Sequence, residues 1–153
     1  MLISSAFFAA IAVVLVGVLI VWSNPVNWVN RLVCTCSVHI AIWLGFLHMA
    51  LVTKDGLLWL RWATSVSALI PFHFWLVKEA IAGGMVGLNG VSLSGMIRWL
   101  ASSLLFVAIP FTDYFVPSYS TAENRIYGVG YYFYIIGVFC LYAALGFDTY
   151  RRI

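Results

Sequence analysis

The chain has 153 residues, of which 64% are apolar and only 8% are charged. Soluble domains carry about 25% charged residues, so this composition excludes a water-soluble globular domain. Eight Lys and Arg against five Asp and Glu leave a net charge of +3. So few charges cannot form the dense basic surface that binds the phosphates of DNA or RNA, which excludes a nucleic-acid partner. The solvent that remains is the lipid bilayer.

Transmembrane helices need about 20 consecutive apolar residues, and five stretches meet this length. In chain order the predicted helices are about 3–23, 32–52, 57–77, 97–116 and 127–147, with a glycine-rich loop over 80–96. The apolar runs are continuous, which predicts helices and not the alternating strands of a barrel. The fold class is therefore all-α: a polytopic membrane helical bundle of five transmembrane helices, forming a single transmembrane domain over 1–153.

The first predicted helix begins without positive charge, so we expect a retained helix and not a cleaved signal peptide. Lys and Arg in short loops concentrate on the cytoplasmic side of membranes. An N-terminus outside the cell (N-out, C-in) gives the cytoplasmic side the larger share: Arg31, Lys78, Arg98, Arg151 and Arg152, against Lys54, Arg61 and Arg125 outside. The predicted location is a bacterial inner (cytoplasmic) membrane.

The third predicted helix carries the most informative polar residues. Pro71 cannot donate a backbone hydrogen bond, which frees the carbonyl of Ser67 and predicts a bend. One interpretation is a kinked helix that lines a small polar cavity. Alternatively, the small and hydroxyl side chains pack against a neighbouring helix. The candidate cavity or ligand contacts are Arg61, Thr64, Ser67, Pro71, His73 and Trp43.

His39 and His73 lie at similar predicted depths on adjacent helices, because they are nearly equidistant from the turn at Lys54–Gly56. This depth match is necessary for bis-histidine ligation of a haem, and a hydrogen bond between helices is the other interpretation. No cofactor is predicted, although haem or pigment contact stays open. The thiols of Cys34, Cys36 and Cys140 lie inside apolar stretches and are expected to be buried and inert.

The aromatic share of 17% is explained mostly by rings at the membrane interfaces, among them Tyr131 to Tyr134 at the start of the fifth helix.

Catalytic groups are scarce. Asp113 and Glu79 each lack a second carboxylate within a helical turn, so no pair for general acid and base catalysis is visible. The chain is therefore predicted not to be an enzyme.

Several short motifs, in this order, resemble the amino-terminal seven-helix membrane region of bacterial sensor histidine kinases. They are 24–31 (NPVNWVNR), 41–43 (AIW), 59–62 (WLRW), 71–80 (PFHFWLVKEA) and 127–131 (YGVGY). The resemblance covers nearly the whole chain and corresponds to the first five helices of such a region. It implies a membrane input module whose last helix passes a signal to cytoplasmic phosphotransfer domains.

Three functions follow as expectations. The first is a non-catalytic sensor module acting in signal transduction. The second is an accessory subunit of a respiratory or photosynthetic membrane complex, which packs against partner helices, lipids or pigments. The third is a b-type haem anchor that uses His39 and His73. The expected partners are the lipid bilayer and either other membrane protein chains or a second copy in a homodimer.

Overall fold

The computed structural model describes residues 5–83, 92–120 and 126–151, and within these ranges it contains helices and no strand. The helices are α1 (Ser5–Ser23), α2 (Trp28–Val52), α3 (Gly56–Ser67), α4 (Ile70–Ala82), α5 (Leu93–Val107), a short 3-10 helix (Ile109–Phe111) and α6 (Val129–Tyr150). Four of them are long and apolar enough to cross a membrane: α1, α2, α6, and α5 together with the 3-10 helix. The all-helical bundle compatible with a membrane is thus confirmed.

The third predicted helix, 57–77, differs most from the structure. It is replaced by two helices of 12 and 13 residues, α3 and α4, separated by Ala68 and Leu69. We call these two residues the α3–α4 break. Pro71 lies in the first turn of α4, where a missing N–H costs nothing because the first N–H groups of a helix have no intrahelical partner. The helix is therefore interrupted just before Pro71, which lies in the first turn of the second helix.

Other helix boundaries shift for local reasons. The Asn27 side chain caps α2 by accepting a hydrogen bond from the Val29 N–H at 2.8 Å, so α2 begins four residues before the predicted start at 32. The predicted helix 97–116 is shorter at its far end, because Pro110 follows Val107 closely and α5 gives way to the 3-10 helix. Of the predicted loop 80–96, both ends are helical and residues 84–91 lie outside the described residues.

Successive spans run in opposite directions, with α3 and α4 forming one interrupted span, and this gives the bundle two ends. The Asn24 end holds the turn between α1 and α2 and the last residues of α4 and α6, and the Lys54 end holds the turn between α2 and α3. Helix α1 packs along α2, α2 contacts both α3 and α4, and α4 contacts α5 and α6. Large apolar side chains on α1 and α6, such as Leu19 and Phe139, point outward, as expected for surfaces that face lipid.

Close packing of α1 on α2 depends on Gly17. A Cβ atom at this position would lie 2.7 Å from Ser37 Cβ, so any side chain there would force the two helices apart. Glycine at such a contact is a common device in membrane helix pairs, because it lets the backbones approach closely. The α1–α2 pair is therefore a tight helical hairpin.

We predict that Gly17→Ala destabilises the folded chain by about 1–3 kcal/mol, the usual cost of overpacking a filled interior. Unfolding in mixed micelles with increasing dodecyl sulfate measures this. Gly45→Ala in α2 is the matched control, because nothing lies within 4 Å of a Cβ atom placed there. Adding Ser37→Gly to Gly17→Ala should recover much of the loss, and equal stabilities of Gly17→Ala and Gly45→Ala would contradict the packing argument.

Candidate functional site

Side chains from α2 and α6 bind the backbone carbonyls beside the α3–α4 break. The Val66 carbonyl accepts hydrogen bonds from the Leu69 N–H at 3.1 Å and from His39 Nε2 at 2.9 Å. The Thr64 carbonyl accepts from the Tyr134 hydroxyl at 2.6 Å. Because lipid offers no hydrogen-bond donors, a broken helix inside a membrane requires such partners from its neighbours. Here His39 and Tyr134 add to the backbone N–H groups of Leu69 and Ala68, which donate to the same two carbonyls.

His39 and His73 contact each other directly. Their Nδ1 atoms are 2.9 Å apart, and the rings meet edge to face with centroids 4.5 Å apart. The Val66 carbonyl can only accept a hydrogen bond, so His39 Nε2 carries a proton and donates it. With both rings neutral, His39 Nδ1 is then an acceptor and His73 Nδ1 is the donor. This chain of bonds leaves a lone pair on His73 Nε2.

The geometry also decides what lies between the two rings. Metal–nitrogen bonds to histidine are about 2.0–2.1 Å long, so two ligands on opposite sides of an ion are about 4 Å apart. The Nδ1 atoms of His39 and His73 are too close for that. The depth match predicted from the sequence is realised as a hydrogen bond between the two Nδ1 atoms. Within the described ranges, no group of three or more His, Cys, Asp or Glu side chains is placed to hold a metal ion.

The remaining predicted site residues divide into two groups. The Ser67 hydroxyl joins the network at the break, at 2.9 Å from the Tyr134 hydroxyl and 2.8 Å from the Thr64 carbonyl. The Thr64 hydroxyl turns back to the Leu60 carbonyl of its own helix at 2.8 Å, so Thr64 contributes through its backbone. Pro71 is buried at the start of α4, and Trp43 is half-buried on α2, one turn beyond His39.

Arg61 belongs to a different place, nearer the Lys54 end. Its Nη2 atom donates to the Val116 carbonyl at 2.7 Å and to Asp113 Oδ1 at 3.2 Å, which joins α3 to the segment after the 3-10 helix. Arg61 lies seven residues before Ala68, or about 10 Å along the helix axis. The structure therefore does not bring Arg61 into one cavity with His73, and its guanidinium fixes the fold of the segment around Val116.

Tyr134 is the residue whose role the sequence interpretation missed. It is only 3% exposed and packs in the interior with Phe115, Val116 and Ala68, whereas an interfacial position was expected. Its helix carries a signal for this burial, because Gly130 and Gly137 lie four residues before and three after it, on the same face. A Cβ atom at Gly130 would lie 2.9 Å from the Tyr114 carbonyl oxygen, so this face approaches its neighbours closely.

A second polar cluster lies at the Asn24 end. The Lys78 ammonium is 2.9 Å from Glu79 Oε1 and also contacts Asp148 on α6. Lys78 and Glu79 are largely buried, so little water competes with these ion pairs, and buried pairs are screened less than exposed ones. The cluster ties the last turn of α4 to the last turn of α6.

The three cysteines are all free thiols, but their surroundings differ. Cys36 is buried as expected, Cys34 is half-buried between α1 and α2, and Cys140 is exposed on α6. The expectation of burial is therefore wrong for Cys140. The residue lies on a helix whose apolar side chains point outward, and a thiol behaves there as another small apolar group.

Comparison of the chain with protein-family models, with curated proteins and with solved structures gives no match. The function is accordingly argued from the residues at the break and from the two ends of the bundle. Ionisable groups inside a membrane are rare and expensive, and they mark functional sites by default. The pair of His39 and His73, with Tyr134 on the other side of the break, is the arrangement of this kind that joins three separate segments.

We predict that Tyr134→Phe lowers the free energy of unfolding by about 0.5–1.5 kcal/mol, which is the range for interhelical hydrogen bonds in membranes. The variant keeps the aromatic ring and removes only the hydroxyl that binds the Thr64 carbonyl. Tyr132→Phe, on the same helix with an exposed side chain, is the control and should be neutral. Equal stabilities in a dodecyl sulfate titration would contradict the role of the hydroxyl.

We predict opposite tautomers for the two histidines. Solid-state ¹⁵N NMR of the histidine-labelled chain in bilayers should show His39 protonated at Nε2 and His73 protonated at Nδ1, since the Val66 carbonyl sets the direction of the hydrogen-bond chain. Variants that replace each histidine singly assign the signals, with His48→Gln identifying the third ring. Protonation of both rings at Nε2 alone would contradict the arrangement.

Proposed function

We propose that this chain is a non-catalytic membrane input module, of the kind found at the amino terminus of bacterial sensor histidine kinases. The observation that carries the proposal is the α3–α4 break, whose carbonyls are bound by His39 of α2 and Tyr134 of α6. An input module needs an element with two arrangements of similar energy, which a signal can favour unequally. The break is the candidate for that element.

Several features make the break a plausible hinge. The helices on its two sides are short, and Pro71 has no N–H with which to bond the Ser67 carbonyl. The Thr64 and Val66 carbonyls each have a side-chain donor, Tyr134 and His39, besides a backbone N–H, and these side chains can exchange partners by rotating. A ligand or proton that engages His73 Nε2 alters the hydrogen-bond chain from His73 through His39 to Val66. We expect this alteration to change the angle between α4 and α3.

Helix α6 is the element that would carry such a change onward. It touches the break through Tyr134 and touches the far end of α4 through Asp148 and Lys78. These two connections lie 14 residues, or about 21 Å, apart on α6, and they join it to the end of α3 and to α4. Movement of α4 is thereby passed to the last turn of α6. In the proposed N-out, C-in orientation, that turn lies at the cytoplasmic surface of a bacterial inner membrane, where an output domain would receive it.

The test is a chimera in which the full chain is fused at its carboxyl end to the phosphotransfer and ATP-binding domains of a sensor kinase and reconstituted in lipid nanodiscs. We expect His73→Phe and Pro71→Ala each to change autophosphorylation by about 2–30-fold, the range for residues that couple distant sites. Phe139→Leu, at an exposed apolar position of α6, is the control and should leave the rate unchanged. Unchanged rates in folded His73→Phe and Pro71→Ala would overturn the proposal.

The accessory-subunit hypothesis is separated by a different measurement. Purification of the chain from its native membrane in a mild detergent should give a monomer or homodimer if the chain is an input module. Stoichiometric co-purification of other membrane chains would instead favour a complex subunit. An absorption spectrum of the same sample tests the haem anchor, and a Soret band that disappears in His39→Gln would support it.

A further inference from the structure

An apolar groove lies between α1 and α2 at the Asn24 end. Its volume is about 390 Å³, and its walls are almost entirely apolar. It is lined by Val18, Val21, Trp22, Pro25 and Cys34. The groove is separate from the α3–α4 break and plays no part in the function proposed above.

The groove has fixed walls, because α1 and α2 are held together at both of its ends. At the inner end Gly17 packs against Ser37. At the outer end Asn30 Nδ2 donates to the Ile20 carbonyl at 3.0 Å and to the Asn24 carbonyl at 3.2 Å. Between these contacts the side chains of Val18, Val21 and Cys34 do not fill the space between the two helices, over roughly 10 Å of their length.

A fixed positive charge lies at the mouth of the groove. Arg31 Nε donates to the carbonyl of Pro25, a lining residue, at 2.7 Å. This bond orients the guanidinium and uses one of its five N–H donors, so the Nη groups can face a ligand. Arg31 is exposed and lies in the first turn of α2, the level at which lipid headgroups meet the helix. A guanidinium binds phosphate oxygens in bidentate fashion.

We propose that the groove is a binding site for one anionic phospholipid, with the upper part of an acyl chain between α1 and α2 and the phosphate on the Nη groups of Arg31. The apolar walls match the chain, and the charge at the mouth matches the headgroup. Trp22, which is 80% exposed, stands beside the mouth, where its ring can cover the glycerol region as interfacial tryptophans do. The inference does not depend on the input-module proposal.

Native mass spectrometry of the full chain, released from detergent after titration with lipid, tests this inference. The probes are phosphatidylglycerol and phosphatidylcholine with identical acyl chains. We expect the wild type to retain one phosphatidylglycerol in preference to phosphatidylcholine. Arg31→Gln should reduce that preference about fivefold, the factor for one basic residue near an anionic headgroup. Val21→Trp, which fills the groove, should weaken both lipids, and its circular dichroism is compared with the wild type to confirm folding.

Arg98→Gln is the matched control, because Arg98 is an exposed arginine near the start of α5 at the same end of the bundle. It should leave the lipid preference unchanged. An equal loss in Arg31→Gln and Arg98→Gln would mean that overall charge attracts the lipid, which overturns the proposed site. Equal retention of the two lipids by the wild type, or a dimer mass without bound lipid, would overturn it as well.

Discussion

Inside a bilayer every backbone carbonyl needs a hydrogen-bond donor from the protein itself, because lipid tails offer none. The rest of the bundle depends on this constraint. The third span is interrupted just before Pro71, and the carbonyls of Thr64 and Val66 each accept a bond from another helix as well as one from a backbone N–H. The donors that do this, His39 and Tyr134, come from the second and last helices. The two bonds therefore join α2 and α6 to the end of α3.

The few charged side chains also connect separate segments of the chain. Arg61 joins α3 to the segment around Val116, and Lys78 joins α4 to α6 through Asp148. Both cations are largely buried, where bonds to carbonyls and carboxylates compensate part of the desolvation cost. A chain with few charges thus places two of them as ties between helices at its opposite ends. The hydrogen-bonded interior between these ties contains histidine, tyrosine and serine.

How far the sequence determines this picture differs from one element to another. Long apolar runs predicted five spanning helices, with a bend in the third at Pro71. Four of the five are long and apolar enough to cross a membrane in the structure, and the third is two short helices. Counting residues from the turn at Lys54 matched the depths of His39 and His73, but depth says nothing of rotation about the helix axis. Only the structure shows that the rings meet nitrogen to nitrogen. Tyr134 was missed for the same reason, since its burial follows from the face that Gly130 and Gly137 open. The input-module function stays a prediction.

The order in which these contacts can form follows from their separation along the chain. The turn between α1 and α2 is closed by Asn30 and Ile20, only 10 residues apart, so this hairpin can assemble as soon as it enters the bilayer. The bond from Tyr134 to Thr64 spans 70 residues and must wait until α6 has been inserted. Until then the Thr64 carbonyl lacks its α6 donor inside the membrane. The contact between α6 and α3 is therefore among the last to form during biogenesis, and chains truncated before α6 lack it.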